Sequence, residues 1–358
     1  MVITRTPYRV SFFGGGTDYP SWYLKNGGAV LATSIDKYCY LTVRYLPPFF
    51  EHRYHIVYSK NENCREIAEI QHPPVRAILQ EMKFDRGLEI HHDGDLPARS
   101  GMGSSSSFAV GLLHALRALR QETPTKHELA LEAIRIEQEC LREAVGSQDQ
   151  TIAAHGGLNL VRFKPGGEIA VEPVAAPAGR AQELNDHLLL FFTGLSRTSS
   201  QIAASYIDQL DSKERQLETY KQMVDEALKI VTSDRPLREF GELLHEAWQL
   251  KRSIGRGVTN DEIDCSYETA RKAGAWGGKL LGAGGGGFLL VFADPARHEA
   301  IKKSLGDLLE IPFRFEGLGS RVIFYDRQID YSHKDRARQN QSLRPFAEAP
   351  LPNPVSDR

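Results

Sequence analysis

Glycine punctuates this chain in three stretches: Gly14-Gly15-Gly16-Thr17-Asp18, Pro97-Ala98-Arg99-Ser100-Gly101-Met102-Gly103-Ser104-Ser105-Ser106, and Gly282-Ala283-Gly284-Gly285-Gly286-Gly287. The middle stretch is the most restrictive. Two glycines and the serines Ser104 to Ser107 stand directly before a helical pattern, with Phe108, Leu112, Ala115, Leu116 and Leu119 on one stripe. One helix cap needs one serine. A run of serines after two glycines suits an anion instead, through close backbone approach, N–H donors and a positive helix end. A serine hydroxyl there also offers a hard oxygen to Mg²⁺. The ordinary P-loop pattern, Gly-x-x-x-x-Gly-Lys-Ser/Thr, is absent, so another phosphate-binding architecture is expected.

The surrounding pattern mixes strands and helices without regular alternation, which predicts an α+β fold. Strands are expected over residues 8–13, 28–46, 87–92 and 156–161. Thr125 to Glu128 reads as a capping box opening a helix whose stripe runs Leu129, Ala133, Ile136, Cys140. The Pro-, Ala- and Gly-rich segment 164–185 predicts a boundary between a domain at 1–175 and another at 186–326, followed by a tail at 327–358. The second half is expected to hold strands at 187–192, 288–292 and 320–325. Its helices are expected near 198–231, 236–253, 261–273 and 295–309.

At 358 residues the chain is long enough for two domains, and a net charge of −2 gives no general attraction to nucleic acid or anionic membrane. Cys39, Cys64, Cys140 and Cys265 form no Cys-x-x-Cys pair, which suits a reducing compartment. The start lacks the apolar core of a signal peptide, and no apolar run spans a bilayer. A cytoplasmic protein with neither nucleic-acid nor membrane partner is expected; the sequence leaves a homodimer open.

Several single residues have two readings. Glu137 sits at the edge of an apolar stripe, where position alone favours a solvated side chain and a cation would make it a ligand. Asp149 lies in a glycine-containing loop, as turn chemistry or as a site carboxylate. Arg9 alternates with Ser11, either on a solvent face or beside a phosphate. Asp18 is a helix cap or a hydroxyl-binding carboxylate. Gly282, Gly284 and Gly287 match Gly-x-Gly-x-x-Gly, but they open a strand rather than a helix, so a nicotinamide site is not expected.

Together, Pro7 to Tyr19, Leu96 to Ser107 and Lys279 to Gly287 resemble the three motifs of the GHMP kinase superfamily, which includes galactokinase, homoserine kinase and mevalonate kinase. The resemblance implies an N-terminal α+β domain with a C-terminal ferredoxin-like domain, ATP and Mg²⁺ as cofactors, and a small-molecule substrate. Arg5 to Phe12, Ile136-Glu137-Gln138, Gly146 to Gln150 and Phe192 to Arg197 are similar to the branch that phosphorylates the anomeric hydroxyl of a heptose 7-phosphate. Other sugar kinases, fucokinase-like or galactokinase-like, share the motifs, as would a silent sugar sensor.

Carried over by residue, the resemblance implies Asp149 as base and Arg9 as its partner. It implies Ser105 and Glu137 as Mg²⁺ ligands. Pro97, Arg99, Ser100, Gly101, Met102, Gly103, Ser104, Ser105 and Ser106 would form the ATP cradle, and Gly15, Gly16, Thr17, Asp18, Arg197 and Gly285 would contact sugar. Arg197, Lys37 and Arg99 are the cations expected near a sugar phosphate. Gly15 and Gly16 stand where galactokinase has Glu and His, which argues against galactose.

Overall fold

Residues 1–98, 100–195, 213–254 and 257–327, with 333, 334 and 337, are described by a computed structural model. Its spine is an antiparallel pair, β1 (Val2–Phe13) and β2 (Gly28–Tyr45), bracketing the short helix α1 (Pro20–Asn26). Both strands are longer than a typical strand; β2 is a continuous β-branched and aromatic run, whereas β1 passes through Pro7 with a register shift against β2 between Pro7 and Arg9. Then follow β3 (Tyr54–Val57), β4 (Asn61–Cys64), α2 (Pro73–Glu81), β5 (Leu88–Gly94), α3 (Ser104–Leu119), α4 (Lys126–Arg135), α5 (Gln148–His155), β6 (Leu158–Phe163) and β7 (Ile169–Pro173). One end of β2 pairs with β6 and the other with β5, so one strand organises most of the first sheet.

The second half contains α6 (Arg180–Asp186), β8 (Leu188–Phe192), α7 (Glu214–Val231), α8 (Leu237–Ile254), α9 (Asp261–Lys272), β9 (Gly277–Leu280), β10 (Phe288–Phe292), α10 (His298–Ser304) and β11 (Leu309–Glu310). Its strands form an antiparallel sheet in the order β11-β8-β10-β9. Period-two alternation divides β10 between two cores. Phe288, Leu290 and Phe292 join the core that contains Phe12 and Phe13 of β1. Leu289 and Val291 face Trp248, Tyr267 and Ile301.

The chain then returns. β12 (Phe315–Glu316) pairs with β2, and β13 (Arg321–Tyr325) pairs with β1. Residues expected to close the second domain thus complete the first sheet. The segment 164–185, expected to hold a domain boundary, contains β7 and α6, and β7 extends the first sheet through β6. The capping box forms: Glu128 N–H donates to Thr125 Oγ1 at 3.1 Å, and Thr125 N–H to the Glu128 carboxylate at 2.7 Å. The helix expected over 198–231 is α7 in its described part; its beginning lies outside the described residues. The helix expected over 295–309 is a 3₁₀ turn, Pro295–Arg297, followed by the shorter α10. Among the described residues no helix is long and apolar enough to cross a membrane.

Candidate active site

The glycine stretches, β1, α5 and α8 enclose a cavity of about 260 Å³. Arg9 lines it, so the face that alternation gives to Arg9 and Ser11 belongs to the cavity rather than to open solvent. Arg9 Nε donates to Asp149 Oδ1 at 2.7 Å and Nη2 to Oδ2 at 2.6 Å. This two-pronged contact fixes the plane of the carboxylate. The remaining prong, Nη1, donates to the Gly101 carbonyl at 2.7 Å, and the Arg9 backbone N–H donates to the Met102 carbonyl at 3.1 Å. One arginine therefore ties the carboxylate to the middle glycine stretch. Asp149 lies in the first turn of α5, where the helix dipole favours a negative charge.

Gly103 caps α3 with φ +75, a conformation that disfavours side chains. A β-carbon there would stand 3.4 Å from Asp149 Oδ2 and 3.3 Å from Arg9 Cγ. Its absence lets the start of α3 approach the Arg9–Asp149 pair. No acidic residue occupies the first turn of α3, and its first N–H groups have no intrahelical acceptor. This positive end opens on the cavity that Ser104, Ser105 and Ser106 line. The late glycine stretch braces it from behind, since a β-carbon on Gly282 would lie 2.5 Å from Gly101 Cα.

Of the segment expected to cradle ATP, Gly101, Gly103, Ser104, Ser105 and Ser106 face the cavity. Pro97, Ser100 and Met102 do not. Ser100 Oγ donates to the Pro97 carbonyl at 2.7 Å, and Met102 is wholly buried in the core. Arg99 lies outside the described residues.

Glu137 is fully buried in a π-helical turn, Ile136–Cys140, that interrupts the helix expected to continue from α4. Such turns redirect side chains and recur at functional sites. Ser105 Oγ donates to Glu137 Oε1 at 2.8 Å, Ser106 Oγ to Oε2 at 2.7 Å, and the Gln150 amide also donates to Oε2. Burial nevertheless pushes the carboxyl up to about 7. The same Gln150 leaves its carbonyl oxygen buried without a partner. A desolvated carboxylate, two hydroxyls and an orphaned carbonyl form an all-oxygen set that fits Mg²⁺.

Asp18 also lines the cavity. It does not cap α1, which begins after Tyr19 without a side-chain cap. Its carboxylate accepts from Gly16 N–H at 2.9 Å and Gln148 N–H at 3.3 Å. Burial raises its pKa, and neighbouring Asp149 raises it further. Gly146 must be glycine for this packing, because a β-carbon would sit 1.9 Å from Asp18 Oδ2.

Gly15 and Gly16 also line the cavity. Thr17, expected to contact sugar, instead staples the first glycine stretch, its Oγ1 donating to the carbonyls of Gly14 at 2.8 Å and Ala29 at 3.0 Å. Gly285 is used in loop packing, donating to the Val258 carbonyl at 3.0 Å. Lys37 Nζ is 3.4 Å from Asp36 Oδ1 and is absent from the cavity lining. Arg197 lies outside the described residues.

Two lysines that received no role from the motifs line the cavity: Lys251 on α8, outside them, and Lys279 on β9, which opens the third. A signal for Lys251 exists in the sequence. Leu244, Trp248 and Lys251 recur at helical spacing, so this lysine interrupts an apolar stripe. Lys279 sits in a strand whose four residues are all buried.

The chain is similar to known proteins over most of its length. The GHMP kinases N terminal domain matches residues 73–157, and the GHMP kinases C terminal domain matches 225–310. The D-glycero-alpha-D-manno-heptose 7-phosphate kinase of Campylobacter jejuni is 29% identical over 334 residues, covering 88% of this chain and 98% of the relative. Galactokinase of Pyrococcus furiosus is 24% identical, over 86% of this chain and 92% of its own. A solved D-glycero-D-manno-heptose 1-phosphate kinase from Bacteroides thetaiotaomicron superposes with a TM-score of 0.75 at 22% identity, covering 91% of this chain and all of that one. The chain belongs to the GHMP kinases, with their two-domain fold. Within that family it is an ATP-dependent sugar kinase.

Proposed function

We propose that the protein phosphorylates the anomeric hydroxyl of D-glycero-D-manno-heptose 7-phosphate, in the cytoplasm, to give a 1,7-bisphosphate for surface polysaccharide synthesis. The observation that carries the chemistry is the Arg9-clamped Asp149 beside the open start of α3. Support for the substrate comes from the full-length likeness to the Campylobacter enzyme and from Gly15 and Gly16, whose small size leaves room beside Asp18.

In this reading the N–H groups at the start of α3 bind the ATP phosphates. The sugar oxygen attacks the γ-phosphorus, the bond to the β–γ bridging oxygen breaks, and ADP leaves. The hydroxyl proton passes to Asp149. An anomeric hydroxyl is more acidic than an ordinary alcohol, so a carboxylate held by arginine is a sufficient base. Asp18 orients a neighbouring hydroxyl, and Arg9 fixes the attack direction. Ser105 and Glu137 are the oxygens that would hold Mg²⁺, whose charge offsets that of the triphosphate.

The test is ADP release over a panel of sugars with and without a terminal phosphate, with ³¹P NMR of the product. The expected result is the highest kcat/KM for heptose 7-phosphate and a new anomeric phosphate signal. A higher kcat/KM for galactose or fucose would replace this substrate by the other sugar.

A further inference from the structure

The cavity holds more positive charge than the catalytic pair uses. Arg9 turns all three of its guanidinium nitrogens to Asp149 and Gly101. Lys251 Nζ donates to the carbonyls of Gly282 at 2.5 Å and Leu280 at 3.2 Å. Lys279 Nζ donates to the Phe12 carbonyl at 2.8 Å. Neither lysine has a carboxylate partner among the described residues. An ammonium carries three donors, so backbone carbonyls leave one donor on Lys251 and two on Lys279. Both residues line the cavity.

Such an arrangement is costly without a ligand. Burial first, then the charge of Arg9, lowers Lys251 to about 7. Burial, Lys251 and Arg9 together take Lys279 well below its ordinary value. Arg9, Lys251 and Lys279 repel one another in a desolvated space; Asp18, Glu143 and Asp149 line the same cavity, but neither lysine forms an ion pair with them. Burying lysines this way makes sense where a dianion arrives to be shared.

We propose that Lys251 and Lys279 form a preformed phosphate subsite, held against the junction of the middle and late glycine stretches. Lys251 grips the late stretch at Gly282, which abuts Gly101. Lys279 grips β1 at Phe12, three residues from Arg9. The subsite thus lies beside the reacting pair, and its ligand is a phosphate dianion. Two sources share that chemistry: the phosphoryl group in transit from ATP, and the phosphate already on the sugar. The second source rests on the substrate proposed above; the first requires only a kinase.

The test begins with binding. Inorganic phosphate, with chloride at matched ionic strength as control, is expected to raise the Tm of the wild-type protein. Lys251→Gln keeps an N–H for Gly282 and removes the charge. It should melt no lower than wild type in buffer and lose the phosphate shift. Equal shifts in both proteins, or no shift in the wild type, would overturn the subsite.

Kinetics then separates the sources, since a hydrogen bond to a charged group is worth about 10- to 100-fold. If the sugar's phosphate occupies the subsite, Lys251→Gln raises KM for the sugar phosphate about 10-fold or more. The same sugar without its phosphate is then turned over as before. If the phosphoryl group in transit occupies it, kcat falls with both sugars and KM does not move. Unchanged kinetics with both would also sink the proposal. The phosphate shift needs no sugar, so a wrong substrate assignment leaves it readable.

Discussion

Asp149 and Arg9 act as one object, since both carboxylate oxygens are held by one guanidinium. Asp149→Asn removes the base, so kcat should fall at least ~10²-fold, and Tm should fall too because the buried Arg9 loses its counter-charge. A near-wild-type rate would remove proton acceptance from Asp149. Lys251 makes a pH-dependent prediction. Its ordinary value of 10.5 drops to about 7 in the fold, mainly through burial. The unfolded chain therefore binds more protons between about pH 7 and pH 10.5. The cost of the buried ammonium is complete below pH 7 and fades as pH rises through that window. The Tm of Lys251→Gln relative to wild type should be most favourable near pH 6 and decline towards pH 10. A difference constant across pH would refute the buried charge. The roles of these residues were unevenly legible. Arg9 on an alternating strand reads equally as solvent-facing, because alternation separates two faces without saying which holds a cavity. Glu137 reads as solvated because its position assumes a regular helix, and the π-helical turn is a tertiary product.

At the scale of elements, the middle and late glycine stretches are two halves of one contact. Gly101, at φ +80, would push a β-carbon to 2.7 Å from the Leu281 carbonyl. Gly101→Ala should therefore destabilise the protein by about 1–3 kcal/mol. It should also raise KM for ATP more than KM for sugar, since it displaces the start of α3. An unchanged KM for ATP in a stably folded variant would detach this contact from nucleotide binding. Gly146→Ala is the counterpart on the sugar side. Its β-carbon would displace the Asp18 carboxylate, so KM for sugar should rise on the order of 10-fold while KM for ATP stays the same. The reverse split would remove Asp18 from the sugar pocket. The long periodic elements were legible: α3, α4, β2 and β10 follow from stripes, a capping box and breaker-free runs. The short ones were not. β4, Asn-Glu-Asn-Cys, has no strand composition and exists because β3 offers it a partner. β7 and α6 lie in a segment whose prolines and glycines read as a domain boundary.

For the whole molecule, sequence composition suggests a boundary between two domains, and packing gives the two halves a shared core. Phe240 of α8 meets Phe12 and Phe13 of β1 edge-on, with ring centroids 5.5 and 5.1 Å apart. It also packs against Phe292 of β10 at 5.3 Å. One buried ring from the second half thus touches strands of both sheets. The return of β13 onto β1 joins the halves again, with Ser320 Oγ 2.8 Å from Thr6 Oγ1. Two units that share apolar contacts and exchange strands lose those contacts together when either melts. Calorimetry should therefore give one unfolding transition, with calorimetric and van't Hoff enthalpies in agreement. Phe240→Ala should lower stability by about 3–5 kcal/mol, as expected for emptying a packed aromatic site. Because the lost contacts bridge the sheets, the variant should also begin to split that transition. Two separated peaks in the wild-type protein would mean that the halves are independent bodies. The cavity between the glycine stretches would then have to be assembled by its ligands rather than by the fold.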